Sequence, residues 1–304
     1  MKITAIRSDK IYRKMVLAKI NERDDIYRYE LMKPFEFKWS CTQTPLKAKD
    51  EGGYDVITAS TMAGGFLPRQ IDKERTEDVE KISDEKLWDE CEESIRKTLN
   101  GFEEDGILLP IQEYIFTILL NDPLNPMSKM TGDYCGDGGI PGYIIGTIIP
   151  NEKSLKMLPV ALAHEANHNV RWQFMKWSNE ITLGDMIVSE GLAENFATLV
   201  FGEDKVGFWV KNTTTEALNT VIKPAIKENL NCNDFNKISA FLYGDEIIAM
   251  RGVESVGMPY CAGYACGYHL IKHYLEKTGK TIFEATITET SDILKETEKF
   301  WNEE

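Results

Sequence analysis

The sequence contains no apolar run of about 18 residues, the length that a membrane-spanning helix requires. The charged N-terminal stretch, residues 1–10, also lacks the apolar segment of a secretory signal peptide. The six cysteines are scattered, without the dense spacing of a disulfide scaffold, which is typical of reduced thiols. We therefore expect a cytoplasmic protein that has no membrane partner.

Basic residues are scarce relative to acidic ones. The chain has 35 Lys and Arg against 49 Asp and Glu, and its formal net charge is −14. Because a nucleic-acid partner requires a basic face that meets the phosphate backbone, we expect no binding to nucleic acid. The acidic surplus would suit cationic peptides, although solubility is the more common role of such a surface.

The rest of the composition is that of an ordinary globular protein, with 42% apolar and 28% charged residues. Neither an internal repeat nor a long linker interrupts the 304 residues. Patterns typical of strands occur only in the first half, and helical patterns dominate the second. We predict an α+β fold in a single domain, 1–304, with a mixed N-terminal lobe (about 1–157) and a helical lobe that carries a metal site (about 158–304).

The metal site is predicted from His164, Glu165 and His168, which match the pattern H-E-x-x-H. Apolar residues at helical spacing predict a helix from Pro159 to about Trp177 around this motif. Four-residue spacing on a helix puts both imidazoles on one face, where they can bind a single metal ion. In zinc hydrolases of this pattern, the glutamate is the base that takes a proton from water that the metal has made acidic.

A third ligand is available in a second predicted helix, from about Asp185 to Phe201. A catalytic zinc commonly keeps three protein ligands, and two histidines with one glutamate form one such set, which Glu190 completes. Glu194, one turn later, is placed to accept the outer N–H of a ligand histidine and fix its tautomer, unless it is a surface carboxylate. Gly191 is costly inside a helix, and we expect it to let the two metal-binding helices approach closely.

Two segments, His164-Glu165-Ala166-Asn167-His168 and Glu190-Gly191-Leu192-Ala193-Glu194, resemble the gluzincin metallopeptidases, the group that contains thermolysin and the zinc aminopeptidases. With Ile140-Pro141-Gly142-Tyr143 and Gly263-Tyr264-Ala265-Cys266-Gly267-Tyr268, they resemble more closely the YjaZ-type family of predicted zinc-dependent proteases, over roughly residues 100–280. The resemblance implies a thermolysin-like architecture, with a small sheet-containing lobe, a mostly helical lobe and zinc between them. It also implies Zn²⁺ as the cofactor and a peptide or protein as the substrate.

Two further features follow from the resemblance. Amide hydrolysis needs a hydrogen-bond donor for the developing oxyanion, and gluzincins supply it from a tyrosine or histidine after the glutamate ligand. Tyr264 is our candidate for this donor, with Tyr260, Tyr268 and His269 as rivals. In gluzincins a sheet also precedes the first metal-binding helix, and its edge strand pairs with the substrate backbone. The strand predicted at 142–149 has this place in the sequence.

Three other patterns are interpreted as structural. Two thiols and two imidazoles lie near the C-terminal end: Cys261, Cys266, His269 and His273. They could form a second metal site, but we favour the interpretation that they pack on the inner face of a helix. Asp133 and Asp137 lie in a glycine-rich segment that misses the spacing of a calcium loop, so we predict a plain turn. The segment Tyr54 to Ala63 predicts a strand or a buried loop.

Two classes of function are compatible with these patterns. The first is a zinc metallopeptidase in which Glu165 is the general base. The second is a non-catalytic protein that keeps the metal for folding, or holds peptides as a chaperone or regulator would. The presence of Glu165 favours the first class, because structural zinc needs no base and usually fills all four positions with protein ligands. Substrate, cleavage position and oligomeric state are left open.

Overall fold

The computed structural model describes residues 1–125, 127–128, 132–178 and 180–302. The protein is an α+β protein in which one four-stranded mixed sheet is combined with many helices, and this confirms the predicted fold class. In the described ranges, no helix is both long enough and apolar enough to cross a membrane.

The sheet consists of β1 (Lys2–Ala5), β2 (Glu113–Leu120), β3 (Tyr134–Ile140) and β4 (Tyr143–Ile148), in the order β1-β2-β4-β3. The pairs β1–β2 and β2–β4 are parallel, and β3 runs antiparallel to β4 at the edge of the sheet. β2 has a nearly continuous apolar sequence, as expected of an inner parallel strand that is covered on both faces. β4 confirms the strand predicted at 142–149, but it is paired on both sides, with β2 and β3, and is therefore not the edge strand that the resemblance implied for it.

Helices make up most of the remaining chain. The α-helices are α1 (Ser8–Leu17), α2 (Ile20–Ile26), α3 (Glu36–Cys41), α4 (Val56–Met62), α5 (Thr76–Lys81), α6 (Glu85–Glu104), α7 (Glu152–Phe174), α8 (Leu183–Phe201), α9 (Phe208–Asn212), α10 (Thr215–Ala217), α11 (Lys223–Asn229), α12 (Phe235–Tyr243), α13 (Asp245–Ala249), α14 (Ala262–Thr278), α15 (Ile282–Thr286) and α16 (Thr290–Glu296). The π-helical turns are Tyr27–Met32 and Leu218–Ile222, and the 3-10 turns are Lys33–Phe35, Pro68–Gln70, Lys73–Arg75, Glu203–Lys205 and Glu298–Trp301.

The chain forms two compact units. The first consists of Met1–Thr98 and Pro110–Asn169 and contains the sheet; the second consists of Leu99–Leu109 and Val170–Glu304 and is helical. Helix α7 contributes its longer, N-terminal part to the first unit and the rest to the second. The single-domain organisation with lobes at about 1–157 and 158–304 stays a prediction.

Helix α8 is the centre of the second unit, and it confirms the helix predicted from about Asp185. Its residues are buried nearly all round, which explains why its sequence shows no polar face. It crosses α14 where two glycines meet: a Cβ on Gly191 would lie 2.1 Å from the carbonyl oxygen of Gly267. Gly191 therefore allows two helices to approach closely, but the helix that it meets is α14; the prediction that it would meet the other metal-binding helix was wrong.

The start of α7 differs from the prediction. The helix begins at Glu152, and Pro159 lies inside it. Asn151 and Ser154 form reciprocal bonds before the first turn, in which the Ser154 N–H donates to Asn151 Oδ1 and the Asn151 N–H donates to Ser154 Oγ, each at 2.9 Å. Such a capping pair satisfies N–H groups that the first helical turn leaves unbonded, so the helix can start well before the proline.

Two predictions in the first unit were also wrong. The segment Tyr54 to Ala63 contains helix α4, whose start is set by Asp55: its carboxylate accepts the N–H groups of Ile57 and Thr58. The glycine-rich segment around Asp137 is an extended edge strand, β3, instead of a turn. Glycine normally disfavours strands, so its frequency in β3 requires a local reason, which the neighbouring helix α7 supplies.

Candidate metal centre

Helix α7 presents the H-E-x-x-H residues as the spacing predicts. His164 is half-buried and His168 is buried, and their Nε2 atoms lie 3.0 Å apart. Because both nitrogens point to the same place from adjacent turns, the pair can share one ligand or one proton.

Glu190 on α8 completes a three-residue group with these histidines. His164, His168 and Glu190 each offer one ligand atom, and the three atoms lie within 4.8 Å of one another. Within the part of the chain that the structure describes, this is the one group of at least three His, Cys, Asp or Glu side chains so arranged. Bonds of 2.0–2.1 Å from zinc to two nitrogens at a tetrahedral angle separate the nitrogens by about 3.3 Å, close to the spacing found here. The donor set and its dimensions therefore fit Zn²⁺.

Glu165 is held by the edge strand β3. Its Oε2 accepts a hydrogen bond of 2.7 Å from the Gly138 N–H, and the residue is buried. The strand and the helix approach too closely for side chains in between. A Cβ on Gly138 would lie 2.0 Å from the Glu165 carbonyl oxygen, and a Cβ on Gly136 would lie 2.3 Å from Glu165 Cγ. Gly136 and Gly138 are thus explained by the position of Glu165.

The side chain of Asn169 connects β3 to α7 through hydrogen bonds. Its Nδ2 donates to the carbonyl oxygens of Gly138, Ile140 and Tyr143, at 2.8 to 3.1 Å, and its Oδ1 accepts the N–H of Gly142 at 2.8 Å. The Asn169 side chain is fully buried. Since it follows His168 directly, this side chain fixes where β3 lies along α7, and so where the Gly138 N–H meets Glu165.

Asp137 lies between the two glycines, and its side chain is half-exposed. The buried Lys38 forms an ion pair with it, at 2.5 Å from Nζ to Oδ2. Partial desolvation opposes ionisation of Asp137, but Lys38, the Gly139 N–H and the charge of His168 outweigh it and lower its pKa. Asp137 is therefore ionised at neutral pH and lies within electrostatic range of a candidate ligand.

Tyr264 on α14 lies close to Glu190. Burial, together with the charge of Glu190 and the neighbouring Tyr243, raises the pKa of Tyr264 well above its ordinary value. The phenol consequently stays protonated at neutral pH and can donate a hydrogen bond, which the predicted role requires. The pKa of Tyr268 is also raised, mainly by burial and then by the charges of Glu203, Glu194 and Glu276. The choice of Tyr264 over its rivals stays a prediction.

Glu194 lies one turn after Glu190 on α8 and is buried, with 4% of its surface exposed, so it is not a surface carboxylate. Its Oε1 accepts the backbone N–H of Gly207, in the turn before α9. Whether the carboxylate also orients a ligand histidine stays a prediction.

The other metal sites considered from the sequence are not formed by the described residues. No second group with converging donor atoms occurs among them, at α14 or in β3. Cys266 is fully buried in α14, and burial raises the pKa of its thiol to about 12. A buried, protonated thiol of this kind is a packing side chain, as the favoured interpretation holds.

Two functional positions were missed from the sequence. Asn169 belongs to the same run as the histidines, yet its role depends on a strand that the sequence did not predict there. Gly138 carries no side chain, and only its backbone N–H reaches Glu165. The available signal was the alternation Gly136-Asp137-Gly138 shortly before the H-E-x-x-H helix, which marks a strand that a neighbouring backbone approaches closely.

Two histidines and a glutamate around one point, with a second glutamate beside them, form the residue set of a zinc-dependent hydrolase site. A comparison with family models agrees with this class. The chain belongs to the family described as "Predicted Zn-dependent protease (DUF2268)", whose model matches residues 87–295. The resemblance predicted for about 100–280 is therefore confirmed.

Two relatives in Bacillus subtilis (strain 168) support this assignment. The chain is 34% identical to "Uncharacterized protein YjfC" over 286 residues, which cover 94% of each protein. It is 28% identical to "Uncharacterized protein YjaZ" over 116 residues, or 38% of this chain and 41% of that one. No solved structure matches the chain significantly.

Proposed function

We propose that this protein is a zinc metallopeptidase that hydrolyses peptide bonds, with Glu165 as general base. The observation that carries the proposal is the convergence of His164, His168 and Glu190 beside a buried Glu165 that the edge strand holds in place. A site that only retained zinc for folding would have no use for a positioned carboxylate next to the ligands. Membership of a family described as predicted zinc-dependent proteases supports the same class of reaction.

The three converging residues would hold the ion, leaving one position for water or substrate. Zinc, when bound, supplies a Lewis acid that polarises the scissile carbonyl and increases the acidity of water. Glu165 accepts the proton of the attacking water and passes it to the leaving amine. The protonated Tyr264 donates a hydrogen bond to the carbonyl oxygen as negative charge develops there.

The substrate is a peptide or protein in extended conformation. β3 lies at the edge of the sheet and contacts the catalytic helix through Gly138, so a peptide that paired with this edge would pass close to Glu165. Pairing with a strand edge uses main-chain groups and therefore gives affinity without a strict sequence preference. The gluzincin arrangement of the lobes is part of this proposal.

Purified protein is expected to contain one equivalent of zinc and to cleave members of a mixed peptide library. Replacing His168 by Ala should remove the metal under mild chelation, because two ligands cannot keep the affinity of three. Zinc is measured by elemental analysis after dialysis against a chelator, alongside His269→Ala, which alters an imidazole on α14. Retention of a full equivalent by the His168 variant would contradict the ligand assignment.

The proposed peptidase activity would be contradicted if wild-type protein holds stoichiometric zinc but cleaves nothing across a broad peptide and protein library. In that event the non-catalytic, peptide-holding alternative would take its place.

Replacing Glu194 is expected to lower the affinity for zinc if this side chain orients a ligand histidine. Glu194→Ala and Glu194→Gln should then both lose roughly ten- to a hundredfold in zinc affinity, because neither supplies a charged acceptor. If Glu194 only holds the Gly207 N–H, the glutamine oxygen can still accept that bond and the Gln variant should bind zinc like wild type. Competition with a fluorescent chelator measures both affinities.

A further inference from the structure

Tyr264 belongs to a row of aromatic side chains in the second unit. It consists of Tyr260, Phe208, Trp209, Tyr264 and Tyr243, here called the aromatic wall. The ring centroids of successive members are 5.8, 5.0, 5.6 and 5.6 Å apart in that order. These separations are those of rings in direct contact, so the five side chains form one continuous surface.

The aromatic wall is not part of the closed core. All five residues keep part of their surface exposed, whereas the stacked core residues of the same unit, Phe102 and Phe196, are 0% exposed. Partly exposed aromatic residues that contact one another present an apolar surface to whatever occupies the adjoining space. Contiguous surfaces of this kind mark binding sites more often than isolated exposed side chains do.

The start of helix α9, which carries Phe208 and Trp209, is hydrogen-bonded to α8, the helix that bears Glu190. Glu194 accepts the Gly207 N–H, and the Trp209 ring lies so close to Gly207 that a Cβ there would be 2.2 Å from it. The position of the indole is therefore set by α8 through Glu194, one turn from the candidate ligand. A surface built in this way is held rigidly in register with Glu190.

Tyr264 connects the aromatic wall to the candidate metal centre. The crossing of Gly191 with Gly267 fixes the register of α8 and α14, and the Asn195 amide, which donates to the Tyr268 carbonyl at 2.9 Å, fixes it again one turn later. Glu190 precedes Gly191, and Tyr264 lies one turn before Gly267. The electrostatic effect of Glu190 on Tyr264 agrees with this placement.

We propose that the aromatic wall is the subsite that receives a large apolar or aromatic side chain of the peptide, next to the bond that is cleaved. The inference rests on the proposed function and specifies its substrate class: peptides with Phe, Tyr, Leu or a similar residue at one position beside the scissile bond.

The charges around the wall favour a neutral occupant. The Glu194 carboxylate, which accepts the Gly207 N–H beside the Trp209 ring, disfavours an acidic side chain, and the Arg251 guanidinium, 5.7 Å from the Tyr243 ring centre, disfavours a basic one. Burying an apolar side chain against rings is worth about 1.5–3 kcal/mol, which corresponds to roughly a ten- to a hundredfold preference over alanine.

The experiment compares two zinc-binding peptide analogues on zinc-loaded protein. They are dipeptide hydroxamates that differ only in one side chain, benzyl or methyl, and their dissociation constants are measured by calorimetry. Wild type should bind the benzyl compound roughly ten- to a hundredfold more tightly, and Trp209→Ala should reduce the ratio to within about threefold. Trp209→Phe keeps a ring and should retain most of the preference. Trp177→Ala, which removes a half-exposed indole that packs on Trp172, is the matched control and should leave the ratio unchanged.

Equal binding of the two compounds by wild type would overturn the inference, as would an unchanged ratio in a folded Trp209→Ala protein. If that variant does not fold, Tyr260→Ala, which removes the outer ring of the wall, is judged by the same criterion. Absence of zinc or of peptide hydrolysis identifies failure of the proposed function itself, and the inference then falls with it. A protein that cleaves peptides but binds both hydroxamates equally contradicts the inference alone.

Discussion

Replacing Glu165 by Gln is expected to reduce peptide hydrolysis by at least about a hundredfold, the lower end of what a positioned general base contributes. Zinc content and thermal stability should remain near those of wild type. The glutamine oxygen can still accept the Gly138 N–H, so the side chain keeps its place and loses only its basicity. Initial rates on a cleaved library peptide, with zinc determined on the same samples, measure the effect.

Glu152→Gln is the matched control for this substitution. Glu152 begins the same helix but is exposed and paired with Lys156, so its change should leave the rate unaltered. If Glu165→Gln cleaves as fast as wild type, the measured hydrolysis belongs to another site or to a contaminant, and the mechanism proposed here is wrong.

Gly138→Ala is expected to damage both stability and catalysis. The added methyl group would meet the backbone of Glu165 at 2.0 Å, so the strand and helix must separate. Overpacking of this kind costs about 1–3 kcal/mol, and a displacement of about 1 Å at a catalytic group can cost about a hundredfold in rate. The ligands lie on α7 and α8, so zinc should be retained. Denaturant titration, zinc analysis and initial rates separate these effects.

Gly139→Ala provides a control in the next residue of the same strand. A Cβ there would meet only Asp137 Oδ1, at 3.5 Å, which is ordinary contact. The variant should therefore behave like wild type in all three measurements. Equal damage from both substitutions would mean that β3 tolerates no alanine at all, and that the contact with Glu165 is not the reason for the glycine.

The proximity of the two histidines among the candidate ligands could be predicted from the sequence because their relation is local. His164 and His168 are one helical turn apart, and a helix converts that spacing into a shared face whatever surrounds it. Glu190 lies on another helix, and its assignment rested on the chemistry of zinc ligands and on the motif around it. Helix α8 was predictable because a mostly apolar segment of that length, without glycine pairs or proline, is too long for a single strand and is therefore expected to be a helix.

β3 could not be predicted because its residues contradict its conformation. Glycine and aspartate disfavour strands, so residues 136–139 have the local preferences of a turn. The strand contains glycine because α7 occupies the space that side chains would fill. The residue responsible, Glu165, is 27 positions from Gly138 in the sequence, so no local pattern indicates the contact. The aromatic wall was missed because its rings come from segments that are far apart in the sequence.

The bond from Gly138 to Glu165 makes one backbone amide an internal reporter of the carboxylate proposed as general base. The resonance of an amide proton moves with the strength of the hydrogen bond that it donates. In a ¹⁵N-labelled sample, the Gly138 signal would therefore follow Glu165 directly, through loading with metal, binding of an inhibitor and replacement by glutamine, without a chromogenic substrate. An amide on the edge of a sheet thus gives spectroscopic access to a buried side chain whose own signals are difficult to observe.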